Sequence, residues 1–217
     1  LEQSPLQLTG ARPIARKCCV VDADAELRHQ VRTSDDRSAA SDHECRDQHR
    51  DTGARAREAL FDILAHGRFA PPVYEDALVL DAFAGTGAFG LEALSRGARH
   101  ASFLERDPAA RTALARNIAT LGEGARATLL PGDATHPPRA SGACSLAFLD
   151  PPYREAAAAP ALTALAAAGW LAEDALAVVE IAAAATLAPP PGFTLLDERR
   201  YGAARLVFLR YDARSVA

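Results

Sequence analysis

ALVLDAFAGTGAFG, residues 77–90, contains the pattern that decides the fold of this chain. Its first half is a short, continuous apolar run that ends in Asp81, as a buried parallel strand does. In its second half, Gly85 and Gly87 allow the backbone to turn tightly beside a ligand. The residues after this loop favour a helix, whose first amide groups would face the loop. The stretch therefore predicts the strand, ligand-binding loop and helix that open a Rossmann-like sheet.

The position of Asp81 separates two classes of ligand for this loop. The residues from Gly85 to Gly90 match the GxGxxG pattern of dinucleotide-binding proteins, which is a weak signal when it stands alone. A pyrophosphate bound over the loop would lie close to the Asp81 carboxylate, and the two negative charges would repel each other. S-adenosylmethionine carries no phosphate, and the same carboxylate would stabilise its ammonium and sulfonium groups. We therefore predict S-adenosylmethionine as the cofactor, in contact with this part of the chain through Asp81, Phe83, Gly85, Thr86 and Gly87.

Strand and helix patterns alternate from this unit to residue 211. The predicted strands are 77–83, 100–107, 125–134, 144–153, 175–182 and the two halves of 193–211, and the predicted helices are 54–65, 87–97, 108–122 and 159–171. Alternation of this kind implies right-handed crossovers between parallel strands, while the closing hairpin must add an antiparallel strand. We expect an α/β, Rossmann-like fold with a mostly parallel seven-stranded sheet, helices on both faces and a C-terminal antiparallel hairpin.

A second motif, Asp150-Pro151-Pro152-Tyr153, follows the fourth predicted strand, at the edge where open sheets bind ligands. The two prolines lack amide hydrogens, which leaves nearby carbonyls free to accept hydrogen bonds from a substrate amine. Asp150 adds another acceptor, and Tyr153 offers a flat face for stacking a base. An exocyclic amine of a purine is a poor nucleophile, because its lone pair is delocalised into the ring. Two acceptors would align that lone pair with the methyl group of the cofactor. The motif therefore predicts methyl transfer to such an amine.

Two further acids follow the second and third predicted strands. Glu105 lies where a carboxylate can hold both hydroxyls of a ribose. Asp133 is placed to accept a hydrogen bond from the adenine amino group, with Ala134 against the ring. We include Arg106, which follows Glu105, in the predicted cofactor site.

Composition and charge limit the remaining possibilities. The chain has 217 residues, of which 49% are hydrophobic, and its net charge is −4, so RNA binding would need a local arginine patch. No apolar run reaches the roughly 18 residues of a membrane span, and the four cysteines lack metal-finger spacing. We expect a cytoplasmic, monomeric protein without a metal or membrane contact. Residues 1–50 lack helical or strand periodicity, so we expect a poorly ordered extension before one domain over residues 51–217.

The motifs together resemble those of the RsmD family of bacterial 16S rRNA guanine-N2 methyltransferases. The resemblance covers about residues 50–211 and rests on REALFDIL, DAFAGTGAFGLEALSRGA, FLERD, FLDPPY and VVEI. An Arg-x-Thr-x-x-Arg-x-Arg-Glu segment precedes the first helix in that family. Arg50, Thr52, Arg55, Arg57 and Glu58 keep this spacing here, although Asp51 stands where a proline is usual. The short basic strand pair that usually opens such proteins is not found in residues 1–49.

The resemblance implies methylation of the N2 amine of guanine 966 in 16S rRNA, with S-adenosylmethionine as the methyl donor. It also implies that Arg50, Arg55 and Arg57 contact the RNA, either as free rRNA or in a partly assembled small ribosomal subunit. The target base would leave any stack to reach Asp150.

Several alternatives stay open at this point. Adenine-N6 methylation of DNA or RNA would use the same acceptor geometry, whereas glutamine-N5 methylation of a protein usually has Asn in place of Asp150. An NAD-dependent oxidoreductase could use the glycine loop, and cofactor binding would distinguish it from a methyltransferase. An inactive RNA-binding module is a further alternative, which methyl transfer to RNA would exclude.

Overall fold

The computed structural model describes residues 56–66, 69, 73–152 and 156–216. The predicted extension over residues 1–50 and the predicted site residues Arg50, Arg55 and Tyr153 lie outside this part of the chain. The elements in chain order are α1 (residues 56–65), β1 (Leu78–Ala82), α2 (Ala88–Ser95), β2 (His100–Glu105), α3 (Pro108–Leu121), β3 (Ala127–Pro131), β4 (Cys144–Leu149), α4 (Ala158–Ala167), β5 (Leu171–Ala182), β6 (Phe193–Tyr201), β7 (Ala204–Tyr211) and a final 3₁₀ turn (Ala213–Val216).

All seven strands form one sheet, in the order β3-β2-β1-β4-β5-β7-β6. Strands β1 to β5 are parallel to one another, whereas β7 is antiparallel to both β5 and β6. The predicted seven-stranded, mostly parallel sheet with a C-terminal antiparallel hairpin is therefore confirmed. The chain leaves β1 toward one edge and later returns to β4 on its other side, which places a topological switch point between β1 and β4.

Helices cover both faces of the sheet, as predicted, because consecutive residues of each buried strand point to opposite faces. One core packs strand residues such as Val79 and Phe148 against α1, α2 and α3. The other core packs strand residues such as Leu80 and Val179 against α4. Within the described residues, no helix has the length and apolar character needed to cross a membrane.

Three predicted boundaries around the second motif were wrong. The strand that was expected to run through residues 144–153 ends at Leu149, so the acid and the two prolines lie in a loop. Helix α4 ends at Ala167 rather than at residue 171, because Gly169 takes a left-handed conformation with φ of 81°. Leu171 already pairs with Cys144, so β5 begins four residues earlier than expected.

The third glycine of the loop pattern sets the distance between α2 and the sheet. A Cβ atom built on Gly90 would lie 2.4 Å from a ring atom of Phe103, whose side chain is fully buried. The backbone amide of Gly90 donates a 2.8 Å hydrogen bond to the Asp81 carboxyl on β1. The helix therefore approaches β1 and β2 more closely than any residue with a side chain would permit.

Gly90→Ala should destabilise the fold, because the added methyl group must displace the buried Phe103 ring. Overpacking of this kind costs about 1–3 kcal/mol. Gly124→Ala is the matched control, since a Cβ there meets nothing within 4 Å. We expect urea denaturation to show a lower free energy of unfolding for Gly90→Ala than for the control. Equal stability of the two variants would contradict this account of the helix packing.

Candidate active site

The carboxyl ends of the parallel strands meet at one edge of the sheet and border a cavity there. Its lining residues are Phe83, Leu104, Glu105, Arg106, Gly132, Asp133, Ala134, Asp150 and Pro152. The structure thus brings together residues that were predicted from four separate stretches of sequence. They include members of both the predicted cofactor site and the predicted catalytic motif. We call this space the cofactor cavity.

The loop after β1 turns through three residues in left-handed conformations. Phe83, Gly85 and Gly87 have φ values of 62°, 54° and 87°. This conformation is strained for a bulky residue such as Phe83, and strain of this kind concentrates at functional sites. The amide of Gly87 donates to the Ala84 carbonyl at 2.7 Å and closes the turn. The turn therefore places Phe83 and the start of α2 at the edge of the sheet where the carboxyl ends of the strands lie.

Glu105, at the end of β2, holds this loop in place through hydrogen bonds. One of its carboxylate oxygens accepts a hydrogen bond from the Gly85 amide at 2.8 Å, and the other accepts from the Asp107 amide at 2.7 Å. Each carboxylate oxygen can accept more than one hydrogen bond, so these contacts leave room for a ligand hydroxyl. Glu105 is thus a loop-positioning residue as well as part of the cavity wall.

Asp81 is almost fully buried, and its carboxyl accepts the hydrogen bond from the Gly90 amide. Its pKa is raised to about 8, mainly because burial removes water from the carboxyl. The hydrogen bond from Gly90 offsets part of this effect, while the charges of Asp150 and Glu105 add to it. Asp81 is not among the described residues that line the cofactor cavity. A cation bound nearby would favour the ionised carboxylate that was expected from the sequence.

Asp133 is held differently, because the next turn of the chain donates hydrogen bonds to it. The amide and hydroxyl of Thr135 both donate to one carboxylate oxygen at 2.8 Å, and these bonds lower the pKa of Asp133. Arg106 lies 3.7 Å from its other oxygen and lowers the pKa further. Asp133 is therefore an ionised hydrogen-bond acceptor at neutral pH, beside the buried Ala134.

Asp150 lies one residue beyond β4 and borders the cofactor cavity. The residue is exposed on one side, but the protein atoms that surround its carboxyl desolvate it and raise its pKa to about 7, and the charge of Glu180 contributes. Leu149 of β4 pairs with Val179 of β5 in the sheet. Asp150 and Glu180 directly follow these two residues, so they are neighbours as well. Glu180 was not among the site residues predicted from the sequence. Its signals were an acid within the apolar run ALAVVEIA and the place of that acid in the VVEI motif of the family resemblance.

Asn117 is a second residue near the site that was not predicted from the sequence. It is buried on α3, and its side-chain amide donates to the Thr86 carbonyl at 3.0 Å, which anchors the glycine loop from a third element. The signal for it was a polar residue on the apolar face of α3, three positions after Leu114.

A larger neighbouring cavity of about 400 Å³ is lined by Pro151, Pro152 and Glu180 together with small residues of α4 and of the segment after β5. Pro152 borders this cavity and the cofactor cavity alike, so the Asp-Pro-Pro segment separates the two spaces. We call the larger space the α4 cavity. Arg57, the described member of the predicted RNA-binding arginines, is half-buried on α1.

Comparison with known proteins gives a consistent result. Residues 42–210 match the family model described as "Conserved hypothetical protein 95". The chain is 40% identical over 131 residues to Ribosomal RNA small subunit methyltransferase D of Escherichia coli. The matched region covers 60% of this chain and 63% of that protein. The chain is 35% identical over 157 residues to the protein of the same name from Haemophilus influenzae, covering 70% and 78%. The chain thus spans less than two thirds of the Escherichia coli relative.

Solved structures agree with this result. The Escherichia coli protein yhhF has a TM-score of 0.63 and 36% identity, covering 73% of this chain and 85% of that one. A protein from Haemophilus influenzae has a TM-score of 0.61 and 31% identity, covering 74% and 99%. The fold is the Rossmann-like fold of S-adenosylmethionine-dependent methyltransferases.

Asp81→Asn should make the free energy of unfolding less dependent on pH. The pKa of Asp81 in the folded protein, about 8, lies above its ordinary value of 3.8. Between these values the folded protein keeps a proton that the unfolded chain releases, so the free energy of unfolding falls as the pH rises. Asparagine does not titrate, yet its oxygen can still accept from Gly90. We therefore expect a smaller fall between pH 5 and pH 8 in this variant, measured by urea denaturation.

Asp174→Asn is the control for this measurement, because it removes an acid from an exposed position. The same pH dependence in Asp81→Asn and in the unmodified protein would show that Asp81 does not hold a proton in the folded state.

Proposed function

Because the chain belongs to the Conserved hypothetical protein 95 family, to which RsmD-type proteins belong, we propose that it transfers a methyl group from S-adenosylmethionine to ribosomal RNA. The target that we propose is the N2 amine of a guanine in 16S rRNA, namely guanine 966 by resemblance. The observation that carries the proposal is the cofactor cavity itself, where Asp150 and Pro152 share one lining with Glu105 and Asp133. The substrate would be 16S rRNA or a partly assembled small subunit, and the protein would act as a cytoplasmic monomer.

The donors and acceptors of the cofactor cavity suit S-adenosylmethionine. Glu105 offers carboxylate oxygens to the two ribose hydroxyls, and Asp133 offers an ionised acceptor to the adenine amino group. Ala134 and Phe83 supply apolar surface for the adenine ring. When bound, the cofactor supplies an electrophilic methyl group. Acids around the site favour a cationic ligand over a phosphate-bearing one, which supports methyl transfer over the oxidoreductase alternative.

The Asp-Pro-Pro segment would position the amine for attack. The Asp150 carboxylate and a neighbouring backbone carbonyl would accept hydrogen bonds from the two amine hydrogens and direct the nitrogen lone pair toward the methyl group. Methyl transfer leaves the nitrogen with one proton in excess. Asp150 can accept that proton, because its pKa of about 7 is close to the pH at which the reaction runs. Alignment and electrostatic stabilisation together would account for catalysis without a covalent enzyme intermediate.

Glu105→Ala should weaken cofactor binding by roughly 2–4 kcal/mol, because two charge-assisted hydrogen bonds to the ribose are lost. Calorimetry with S-adenosylmethionine and with its 2′-deoxy analogue separates this role from loop positioning. The unmodified protein should prefer the ribose form, and Glu105→Ala should lose that preference. Glu75→Ala, at an exposed position, is the control. A preference that survives in Glu105→Ala would remove Glu105 from the ribose site.

Asp150→Ala should lower the rate of methyl transfer by about 10²–10³, the usual effect of removing one preorganised polar partner. Its affinity for S-adenosylmethionine should be retained, and Asp150→Asn should keep partial activity because the amide oxygen still accepts. The measurement is single-turnover transfer of a tritiated methyl group to undermodified small-subunit particles, with Asp174→Asn as the control. Nucleoside analysis should then find N2-methylguanosine. An unchanged rate in Asp150→Ala, or N6-methyladenosine as the product, would overturn the proposal.

A further inference from the structure

The α4 cavity is preformed and opens beside the segment that would hold the reacting amine. Pro151 and Pro152 line one side, and the start of α4 and the residues after β5 complete the wall. The turn after β5 is fixed by Arg205, whose guanidinium donates to the Ala183 carbonyl at 2.8 Å. A space of about 400 Å³ bordered in this way resembles a small-molecule site in size.

The lining is mostly apolar and includes one buried acid. Ile181, Leu187 and several alanines offer apolar surface against which the faces of an aromatic base can pack. Glu180 is also part of the lining and is more than nine-tenths buried. Because β4 and β5 are neighbours and parallel, Glu180 is next to Asp150 at the edge of the sheet. Two carboxylates thus stand side by side where the cavity meets the Asp-Pro-Pro segment.

Hydrogen-bonding chemistry distinguishes the purines that could fit there. Guanine carries two adjacent donors on its Watson–Crick edge, the N1–H and the N2 amine. Adenine carries its N6 amine beside N1, which has a lone pair and would face a carboxylate unfavourably. Ionised carboxylates only accept hydrogen bonds, so a pair of them matches the guanine edge. A carboxylate that accepts from an N–H group repels a ring nitrogen with a lone pair at the same place, so such a site rejects an analogue that lacks the N–H.

We propose that the α4 cavity holds the target guanine and that Glu180 accepts a hydrogen bond from its N1–H while Asp150 accepts from its N2 amine. This inference rests on the proposed function and deepens it, because it assigns the choice of base to a named residue. Glu180 is then a specificity residue, and Asp150 is the group that touches the reacting nitrogen.

The test compares two bases at the target position of the same RNA. 2-Aminopurine keeps the amine at C2 but has a lone pair in place of the N1–H. We expect the unmodified protein to methylate guanine about tenfold to a hundredfold faster than 2-aminopurine. Glu180→Gln should reduce this ratio toward one, since an amide can either donate or accept. The intrinsic difference in reactivity between the two bases cancels when the ratios of the two proteins are compared.

Glu173→Gln is the matched control, because Glu173 lies near the opposite end of the same strand and is exposed. It should keep the ratio of the unmodified protein. Affinity for S-adenosylmethionine, measured on every variant, reports whether the cofactor cavity is intact. A second variant, Ala185→Leu, narrows the α4 cavity without altering either acid. It should lower methylation of guanine while leaving cofactor affinity unchanged.

The outcomes separate this inference from the function on which it rests. If the unmodified protein transfers no methyl group to the guanine substrate, the proposed function fails and the inference fails with it. If it methylates guanine but Glu180→Gln keeps the same guanine to 2-aminopurine ratio, only the role of Glu180 is overturned. If Ala185→Leu methylates guanine at the unmodified rate, the base does not occupy the α4 cavity.

Discussion

The hydrogen bond between the Gly90 amide and the buried Asp81 carboxyl joins β1 to α2, and the geometry of the whole edge depends on it. Only glycine permits this approach, because a side chain at position 90 would overlap the Phe103 ring. Once the helix is fixed at this distance, the loop between them must turn sharply. Glu105 can then hold the loop from β2, and Asn117 can hold it from α3. The cofactor cavity is the space that remains beside this braced loop.

Several acidic side chains lie close together at this edge of the sheet, where desolvation and neighbouring negative charges disfavour their ionised forms. Burial and the charges of Asp150 and Glu105 raise the pKa of Asp81, and desolvation and the charge of Glu180 raise the pKa of Asp150. Acids this close to one another repel each other when they are ionised. A cation or a set of N–H donors bound among them would stabilise the ionised forms. The proposed ligands provide both, since the cofactor is positively charged and the guanine edge presents adjacent donors.

Local patterns in the sequence predicted the parts of the molecule that depend on neighbouring residues. The apolar run before Asp81 and the glycines after it define a strand, loop and helix without help from the rest of the chain. The start of β5 was missed because the polar residues Glu173 and Asp174 interrupt the apolar pattern of a buried strand. The pairing of Leu171 with Cys144 of β4 determines where β5 begins. Asn117 and Glu180 were missed for a similar reason. Their roles follow from contacts with residues about 30 positions away, which periodicity cannot reveal.

The position of β7 in the sheet has a consequence for how the protein is made. Of the seven strands of this sheet, β7 is the last to be synthesised, yet it lies between β5 and β6 and is buried along most of its length. Until the ribosome has released residues 204–211, β5 has an unpaired, apolar edge and β6 has no neighbour to pair with. Exposed edges of this kind are sites of aggregation. The nascent chain therefore passes through a vulnerable stage that ends only when the terminal hairpin docks.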